Sequence, residues 1–319
     1  MVSISVAMAT HNGARYLRDQ VESIGRQTLP PGEVVISDDA SIDETVSIAE
    51  AFAAAAPFPV RLHRHERAVG AADNFIRAAA SCTSTLVAFS DQDDVWAERK
   101  LARCVPSFED PGVQLVIHGW TVVDNDLVEQ ERVVPKAQVV DGVHAPKWGQ
   151  APGMAMVFRR SLLDLLDWEG RPPSHEAGRS LLHDEWVYGL ARASGRIVFL
   201  DESLCLYRQH ASNVEGAPDR TLRQRAHLMA SIGGDYYVRR AAQADAWASL
   251  LRDVVPDEAA SYHRLAQTLR ARAAVYGERP RTRALLRAVR AGVYRSRSRD
   301  GFGVRGFARD ALLIATGRS

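Results

Sequence analysis

Short apolar runs alternate with helix-forming segments along the first part of the chain. Strands are predicted at residues 3–9, 33–37, 60–64 and 85–90. The segments between them, which are predicted helices, lie near residues 14–27, 43–56 and 72–81. Strands that alternate with helices of this length favour a mainly parallel sheet covered by helices on both faces. The predicted fold class is therefore α/β.

The pattern changes after about residue 110. Further strands are predicted at residues 113–117, 121–123, 155–158, 196–200 and 203–207, with helices near 161–166 and 184–194. From residue 221 onward the chain has the pattern of helices, interrupted at Gly233-Gly234, at Pro256 and at 277–280. We therefore expect an α/β domain over residues 1–216 and a helical, Arg-rich extension over residues 217–319.

Charge is distributed unevenly along the 319 residues. The net charge is +1, but residues 279–319 contain eleven Arg and two acids, which gives +9 and leaves −8 for the rest. Leu285, Leu286 and Val289 share a helical stripe in this basic region, and apolar residues continue to Ile314. One interpretation is an amphipathic segment on an anionic membrane surface. The other is a helical appendage that packs on the core or on a second subunit. No nucleic-acid-binding module is recognisable.

The cysteines and the distribution of apolar residues indicate the cellular compartment. Cys82, Cys104 and Cys205 are far apart and show no metal-ligand spacing, which is typical of a reducing cytoplasm. The sequence shows no signal peptide and no run of about 20 apolar residues. We expect a cytoplasmic protein, either soluble or peripheral on the inner face of the membrane.

An acidic cluster, Asp91-Gln92-Asp93-Asp94, directly follows the apolar run at 85–90. In an open α/β sheet, ligands bind in the crevice beyond the carboxyl ends of the strands. Carboxylates this close repel one another, and a hard divalent cation relieves that repulsion. The cluster therefore indicates either a metal that clamps a diphosphate or a solvated loop that caps the next helix.

Three other polar loops follow predicted strands, at residues 10–13, 38–41 and 149–153. If the sheet is wound in the usual way, these loops and the acidic cluster converge on one edge. Ser41, with Glu44 three residues later, is a capping-box pattern that predicts the start of the second helix.

The motifs resemble a known family when they are taken in order. They are T-H-N-G at 10–13, V-V-I-S-D-D-A-S-I-D-E-T at 34–45, D-Q-D-D-V-W at 91–96 with Lys100 beyond it, G-M-A-M-V-F at 153–158, H-D-E-W at 183–186 and Y-R-Q-H-A-S-N-V-E-G at 207–216. Over about residues 1–216 the chain resembles the family 2 glycosyltransferases with the GT-A fold, and most their bacterial rhamnosyltransferase-type branch. His11 replaces an aromatic residue that is usual in the family. Ala40 replaces a usual Gly, so we expect that turn to avoid a positive φ.

The resemblance implies which residues hold a nucleoside diphosphate sugar. Thr10, Asn12 and Asp39 would hold the nucleoside, since a carboxylate suits the N3–H of uracil or thymine. Asn74 would face ribose or phosphate. The alternative for Asp38, Asp39 and Asn74 is that they cap helices or complement helix N-termini.

The resemblance also implies a metal site and a base. Asp93 would ligate Mg²⁺ or Mn²⁺, and Asp91 would contact ribose or metal-bound water. His210 would complete the metal's ligand set, and Arg208 would neutralise phosphate charge. Asp184 would deprotonate the acceptor hydroxyl. Burial beside Trp186 would strengthen Asp184 as a base, although acids there can instead complement the helix N-terminus.

The function implied is transfer of a sugar, with inversion, from a nucleoside diphosphate to a hydroxyl of a glycan or lipid-linked acceptor. The resemblance favours dTDP-L-rhamnose as donor and a UDP-sugar next. The alternatives are a nucleotidyltransferase, although the loop at 10–13 has no nearby Lys, and a catalytically silent protein that binds sugar nucleotides or a partner. A dehydrogenase is disfavoured because no G-x-G-x-x-G follows the first strand.

Overall fold

The structure is a computed structural model. It describes residues 3–148, 151–176, 179–210, 233–277, 281–294, 306–308, 310–311 and 314. The chain divides into two compact units. The first, here called the α/β unit, comprises Met1–Glu169 and Leu182–Ala217, and the second, the helical unit, comprises Gly170–Leu181 and Pro218–Ser319. Grouping Gly170–Leu181 with the helical unit is a tertiary feature that the sequence pattern does not indicate.

Ten strands lie within the described residues. They are β1 (Ile4–Thr10), β2 (Glu33–Asp38), β3 (Val60–Arg64), β4 (Leu86–Ser90), β5 (Val95–Trp96), β6 (Val113–Val123), β7 (Glu129–Val133), β8 (Gln138–Asp141), β9 (Met156–Arg159) and β10 (Arg196–Arg208). The helices of the α/β unit are α1 (Ala14–Gly25), α2 (Thr45–Ala55), α3 (Ala71–Ala80), α4 (Lys100–Cys104) and α5 (His183–Ser194).

The described strands form one mixed sheet in the order β3-β2-β1-β4-β9-β6-β10-β5, with β7 beside β6 and β8 beside β10. The four neighbouring strands β3, β2, β1 and β4 run parallel to one another. Every residue of β1, β2 and β4 is buried, as expected for strands covered on both faces. The chain builds outward from β1 to β3 and then crosses to β4, so a crevice for ligands is expected beyond the ends of β1 and β4.

In the second half of the sheet, two pairs of strands that were predicted as separate are each a single strand. Residues 113–123 form one strand rather than two, and so do residues 196–208. The break predicted in β10 is an irregularity in its pairing with β6 between Phe199 and Ser203, which interrupts the register without ending the strand. The helix predicted near 161–166 is a short 3₁₀ turn, Arg160–Asp164.

The predicted capping box is wrong. Ser41 Oγ donates to Asp38 Oδ1 at 2.5 Å instead of capping α2. The backbone N–H of Thr45 is instead satisfied by Asp43 Oδ1 at 3.0 Å. Ser41 thus holds the preceding loop, because its hydroxyl hydrogen is donated to the buried Asp38 carboxylate and its oxygen accepts from the N–H of Asn12 instead of from a helix N–H.

The helical unit contains α6 (Gly234–Leu250), α7 (Pro256–Gly277) and α8 (Arg281–Arg290). Trp247 of α6 stacks on Tyr262 of α7 with ring centroids 5.8 Å apart. Beyond α8, the buried carboxylate of Asp310 accepts two hydrogen bonds from Arg272 and one each from the hydroxyls of Tyr276 and Tyr294. A buried acid with four donors is well compensated.

α8 buries a different face from the predicted stripe. Ala284 and Ala288 are buried against Val275, whereas Leu286 and Val289 are 58% and 43% exposed. Small residues at i and i+4 allow close packing of helix on helix. Leu285 packs half-buried against the same cluster, while Leu286 and Val289 stay outside. No helix among the described residues is long and apolar enough to cross a membrane. The predicted helical segment at 221–232, and the apolar residues Phe302, Leu312 and Leu313, lie outside the described residues.

Candidate functional site

A cavity of about 460 Å³ lies at the carboxyl ends of β1, β2 and β4. The predicted site residues on its lining are Thr10, Asp39, Asn74, Asp91, Asp93 and Asp184. Gly149 and Gln150 of the fourth predicted loop lie outside the described residues, while Pro152 and Gly153 line the cavity. The expected convergence of loops on one sheet edge is thus what the structure shows.

One end of the cavity is held by the two acids that follow β2. Asp38 is fully buried and accepts hydrogen bonds from Thr10 Oγ1 at 3.0 Å and from the N–H of Ser41 at 3.0 Å. Asp39 accepts from the backbone N–H groups of Val69 at 2.6 Å and Gly70 at 2.9 Å. Asp38 therefore braces its own loop, while Asp39 faces the cavity and draws the loop before α3 toward it.

Two non-glycine residues near this end have left-handed backbones. Asn12 has φ 47° and Ala40 has φ 60°. The expectation for Ala40 is wrong, because the turn keeps a positive φ although Ala carries a Cβ. Asn12 accepts a hydrogen bond from the N–H of Ile42 at 2.9 Å and donates its own N–H to Ser41. Asn12 ties two loops together and is not among the residues that line the cavity.

Asn74, near the start of α3, lines the cavity and has a fixed amide orientation. Its Nδ2 donates to the carbonyl of Ser37 at 2.8 Å and to that of Thr10 at 3.3 Å. These bonds fix the amide orientation, so Oδ1 is the free end. Oδ1 is buried, and no group among the described residues donates a hydrogen bond to it. An orphaned buried acceptor of this kind suits a ligand that donates an N–H or O–H.

The acidic cluster lies where β4 ends. Burial, followed by the charges of Asp93 and Asp184, raises the pKa of Asp91 to about 8. Burial also raises the pKa of Asp93, although His210 opposes it. Asp94 is fully buried, and burial together with Asp91 and Asp93 raises its pKa well above the ordinary range. The surrounding protein therefore does not fully stabilise three ionised carboxylates at this place.

The side chain of Gln92 turns away from the cluster and clamps the first loop. Its Oε1 accepts from the N–H of His11 at 2.8 Å and its Nε2 donates to the His11 carbonyl at 3.1 Å. A Cβ on Gly13 would overlap the Gln92 amide. A side chain at position 13 would therefore force the Gln92 amide to move and would disturb its two hydrogen bonds to His11, which join the ends of β1 and β4.

His210 contacts Asp93 directly. Its Nε2 lies 2.9 Å from Asp93 Oδ2, and both side chains are nearly buried. The imidazole stacks on Tyr16 of α1 with ring centroids 4.6 Å apart. Tyr16 was not singled out from the sequence. Its position in the first turn after the 10–13 loop is the signal that would have pointed to it.

Arg208 is engaged on every side by the protein. It donates from Nε to the Asp93 carbonyl at 3.0 Å, from Nη1 to the Asn125 carbonyl at 2.9 Å and from Nη2 to Asp19 at 2.7 Å. Its guanidinium lies over the Tyr16 ring. Arg208 is not among the cavity-lining residues. It holds the backbone of the acidic cluster, and a direct contact with a phosphate stays a prediction.

Lys100 is a fully buried cation near the cluster. Its Nζ donates to the Met154 carbonyl at 2.7 Å and lies 3.4 Å from the centre of the Trp96 ring. Burial lowers the pKa of Lys100 to about 8, while its charge acts to lower that of Asp91. The sequence shows Lys100 only as a motif position. That it is buried, and therefore acts as a counter-charge, depends on tertiary packing.

Asp184 opens α5 and lines the cavity opposite the acidic cluster. Its Oδ1 accepts from the N–H of Glu185 at 2.7 Å, as an acid in a first helical turn does. Trp186 is fully buried and is not among the cavity-lining residues. The charge of Asp184 contributes to the raised pKa of Asp91, so the candidate base interacts electrostatically with the acidic cluster.

His183 is a cavity residue that the sequence reasoning did not assign. Its ring stacks on Phe75 with centroids 3.9 Å apart, and it also lies edge-on to Phe89. A Cβ on Gly153 would overlap His183 Nε2, so the G-M-A-M-V-F motif needs its glycine for this approach. The sequence signal that could have pointed to His183 was its position in the H-D-E-W motif, together with Gly153 in the G-M-A-M-V-F motif.

The family resemblance implies a divalent cation, and the side chains present suit one. A carboxylate oxygen of Asp93 suits Mg²⁺ or Mn²⁺, and an imidazole nitrogen of His210 beside it suits Mn²⁺ better than Mg²⁺, which prefers oxygen ligands. Within the described part of the chain, no three Asp, Glu, His or Cys side chains form a ready ligand group. The protein atoms therefore fit a cation that takes its remaining ligands from elsewhere, such as diphosphate or water oxygens.

Comparison with known families agrees with this geometry. Residues 5–166, about half of the chain, match the model for glycosyl transferase family 2. The chain belongs to glycosyl transferase family 2. The matched span contains the loops that follow β1, β2 and β4, and therefore most of the cavity lining.

Two relatives of this family 2 chain are similar over much of its length. An uncharacterized glycosyltransferase of Nostoc sp. is 29% identical over 240 residues, which cover 72% of each chain. The dTDP-rhamnosyl transferase RfbG of Shigella flexneri is 27% identical over 220 residues, which cover 66% of this chain and 74% of that protein.

Among solved structures, residues 1–349 of S. aureus TarS in complex with UDP-GlcNAc match with a TM-score of 0.55 at 16% identity. The match covers 92% of this chain and 93% of that one. The likeness concerns the fold, which is GT-A, and the predicted fold class is confirmed.

Proposed function

We propose that the protein is an inverting, divalent-cation-dependent glycosyltransferase acting on a nucleoside diphosphate sugar, with dTDP-L-rhamnose favoured and a UDP-sugar next. The observation that carries the proposal is a single cavity lined by Asp39 and Asn74 near the end of β2 and by Asp91, Asp93 and Asp184 beyond the end of β4. The similarity to a dTDP-rhamnosyl transferase supports the donor preference. Residues 1–216 would form the catalytic domain.

The nucleoside would lie between Asp39 and Asn74. Asp39 keeps acceptor capacity besides its two backbone donors, because a carboxylate has about four lone-pair sites. Asn74 Oδ1 needs a donor. Uracil or thymine N3–H and the ribose hydroxyls supply such donors, whereas phosphate oxygens do not. This favours the ribose over the phosphate as the partner of Asn74.

The diphosphate would lie at the acidic cluster. Asp93 and His210 would hold the cation, with Asp91 toward ribose or metal-bound water. When bound, the cation supplies Lewis-acid stabilisation of the charge that grows on the departing diphosphate. The raised pKa of Asp91 supports this position, since a cation would relieve the repulsion between neighbouring carboxylates. Arg208 would keep the cluster in place through its bond to the Asp93 carbonyl.

Asp184 would act as general base. The acceptor hydroxyl oxygen attacks the anomeric carbon as the bond from that carbon to the diphosphate oxygen breaks. The hydroxyl proton passes to a carboxylate oxygen of Asp184, and attack opposite the leaving group inverts the anomeric centre. The acceptor itself is the nucleophile, so no covalent enzyme intermediate is needed.

The acceptor would be a glycan or lipid-linked saccharide used in cell-surface assembly. α8 exposes Leu286 and Val289 beside Arg283, Arg287 and Arg290, and this combination suits an anionic membrane surface. Peripheral contact with the inner face of the membrane through the basic region is therefore part of the proposal. Packing of the same helix on a second subunit is the competing arrangement.

A thermal-shift experiment tests the proposal. Wild type, Asp93→Ala and the control Glu98→Ala are heated with dTDP-rhamnose, UDP-sugars or GDP-sugars, each with Mn²⁺ or with EDTA. A ligand of the native state raises the melting temperature by mass action. We expect a Mn²⁺-dependent rise with one dTDP- or UDP-sugar in wild type and Glu98→Ala, and its loss in Asp93→Ala. No rise with any sugar nucleotide would refute the proposal and favour a silent or partner-binding protein.

A further inference from the structure

A second cavity, which we call the aromatic cavity, lies on the sheet beside α5. Its volume is about 430 Å³, within the range of small-molecule sites. Aromatic rings from four different places in the chain line it, namely Trp120 of β6, Trp148, Tyr188 of α5 and Phe199 of β10. None of these residues was assigned a role from the sequence.

The aromatic cavity adjoins the proposed active site along two elements. Ala151 lines the aromatic cavity, while the next two residues, Pro152 and Gly153, line the first cavity. On α5, Asp184 lines the first cavity and Tyr188 the second. Residues at i and i+4 share one helix face and are about 6 Å apart along the axis. A molecule that offers a hydroxyl to Asp184 can therefore extend into the aromatic cavity.

The chemistry of the lining selects a neutral, amphipathic ligand. None of the described residues that line the aromatic cavity is Asp, Glu, Lys or Arg. An anionic phosphate group would find no counter-charge there. The polar side chains are Gln138 and His144, both exposed at the rim, while the Tyr188 hydroxyl is already donated to the Pro146 carbonyl at 2.8 Å.

We propose that the aromatic cavity is the acceptor subsite and binds a neutral sugar ring of the glycan acceptor; this rests on the proposed transferase function. A pyranose ring has C–H faces that suit the electron-rich faces of Trp rings and hydroxyls that suit an amide and an imidazole. A polyprenyl chain would use the aromatic walls but would offer no hydroxyl to the Gln138 amide or to the His144 imidazole, whose Nδ1 lies 3.9 Å from Asp141. The same cavity thus determines which acceptor reaches Asp184.

Binding is tested without turnover by saturation-transfer NMR. The probes are methyl α-L-rhamnopyranoside, methyl α-D-glucopyranoside and methyl N-acetyl-β-D-glucosaminide, with citronellol as the prenyl comparison. The variants are Trp148→Ala and the matched control Trp168→Ala, a half-buried Trp outside this cavity. Gln138→Ala, at an exposed position, serves if Trp148→Ala does not fold. We expect saturation of at least one glycoside in wild type and Trp168→Ala, and its loss in Trp148→Ala.

Kinetics then separate this inference from the proposed function. With the bound glycoside as acceptor, Trp148→Ala should raise the acceptor KM about tenfold while the donor KM and the rate of donor hydrolysis stay unchanged. Equal glycoside binding in wild type and Trp148→Ala, or binding of citronellol alone, would overturn the acceptor subsite. Glycoside binding that depends on Trp148 without any donor-induced thermal shift would support a sugar site and refute the transferase.

Discussion

Replacing Asp91 by Asn should change how the stability of the metal-free protein depends on pH. Burial and the charges of Asp93 and Asp184 raise the pKa of Asp91 to about 8 from an ordinary value of 3.8. Between these values the folded chain keeps a proton that the unfolded chain has lost. The unfolding free energy therefore falls as pH rises toward 8.

The magnitude follows from one proton. A difference of one bound proton changes the unfolding free energy by about 1.4 kcal/mol per pH unit. Burial lowers the pKa of His118 to about 3 and of His175 to about 4, which makes stability rise with pH, but only up to their ordinary value of 6.5. Between pH 6.5 and 8 the raised pKa of Asp91 makes stability fall as pH rises, whereas Lys100, whose pKa burial lowers to about 8, makes it rise near the upper end. Lys100 is present in both wild type and Asp91→Asn, so the difference between their slopes reports Asp91, which contributes at most about 2 kcal/mol across the interval.

The assay is urea unfolding in EDTA at four pH values in this interval. Wild type should lose stability as pH rises, and Asp91→Asn should lose less, the remainder coming from Asp93 and Asp94. Glu33→Gln is the matched control. Burial acts to raise the pKa of Glu33, but hydrogen bonds led by the N–H of Thr83 lower it to about 2. Its charge is constant in the interval, so that variant should keep the wild-type slope. Equal slopes for wild type and Asp91→Asn would refute the reasoning.

Three further outcomes are expected. Asp184→Asn should lower kcat by about 10²–10⁴-fold with little change in donor KM, whereas Glu185→Gln should leave kcat unchanged. A steady-state assay at fixed Mn²⁺ measures both, and an unchanged kcat in Asp184→Asn would exclude Asp184 as the base. Ala40→Gly should raise the unfolding free energy by about 0.5–1 kcal/mol, because relief of the left-handed strain exceeds the backbone entropy that glycine adds; a lower urea midpoint would contradict this. Asp310→Asn should cost about 3–5 kcal/mol, since it leaves the buried Arg272 without its counter-charge; a urea midpoint equal to wild type would show that the pair is not stabilising.

Local patterns predicted the first half of the fold well. The sequence pattern placed β1, β2, β3 and β4 within a residue at each end. For β1, β2 and β4 the signal was an apolar run, because parallel strands buried on both faces are mostly apolar, whereas β3, at one end of the strand order, alternates apolar and basic residues. The position of Asp91 and Asp93 at the end of β4 followed from the same pattern. The predictions failed at Ser41 and Ala40, where hydrogen bonds to Asp38 and the shape of the turn overrode local preference.

Contacts between distant segments could not be predicted from local patterns, and the expectation that Arg208 and His210 join the site came from the family resemblance alone. Arg208 and His210 meet the acidic cluster only because β10 runs beside β6 and pairs with β5. Both residues lie far from Asp93 in the sequence, with separations of 115 residues for Arg208 and 117 for His210. No periodicity or capping signal acts over such a separation.

The sequence by itself determined the α/β class, the family and the polar loops that follow β1, β2 and β4, because strand and helix periods and motif spacing are local properties. Only the tertiary structure decided that Lys100 is buried under the cluster, that Asn74 presents a lone acceptor and that four aromatic rings enclose a second cavity beside Asp184. Burial and the partner of each polar atom depend on which segments pack together, and that is set by the sheet order.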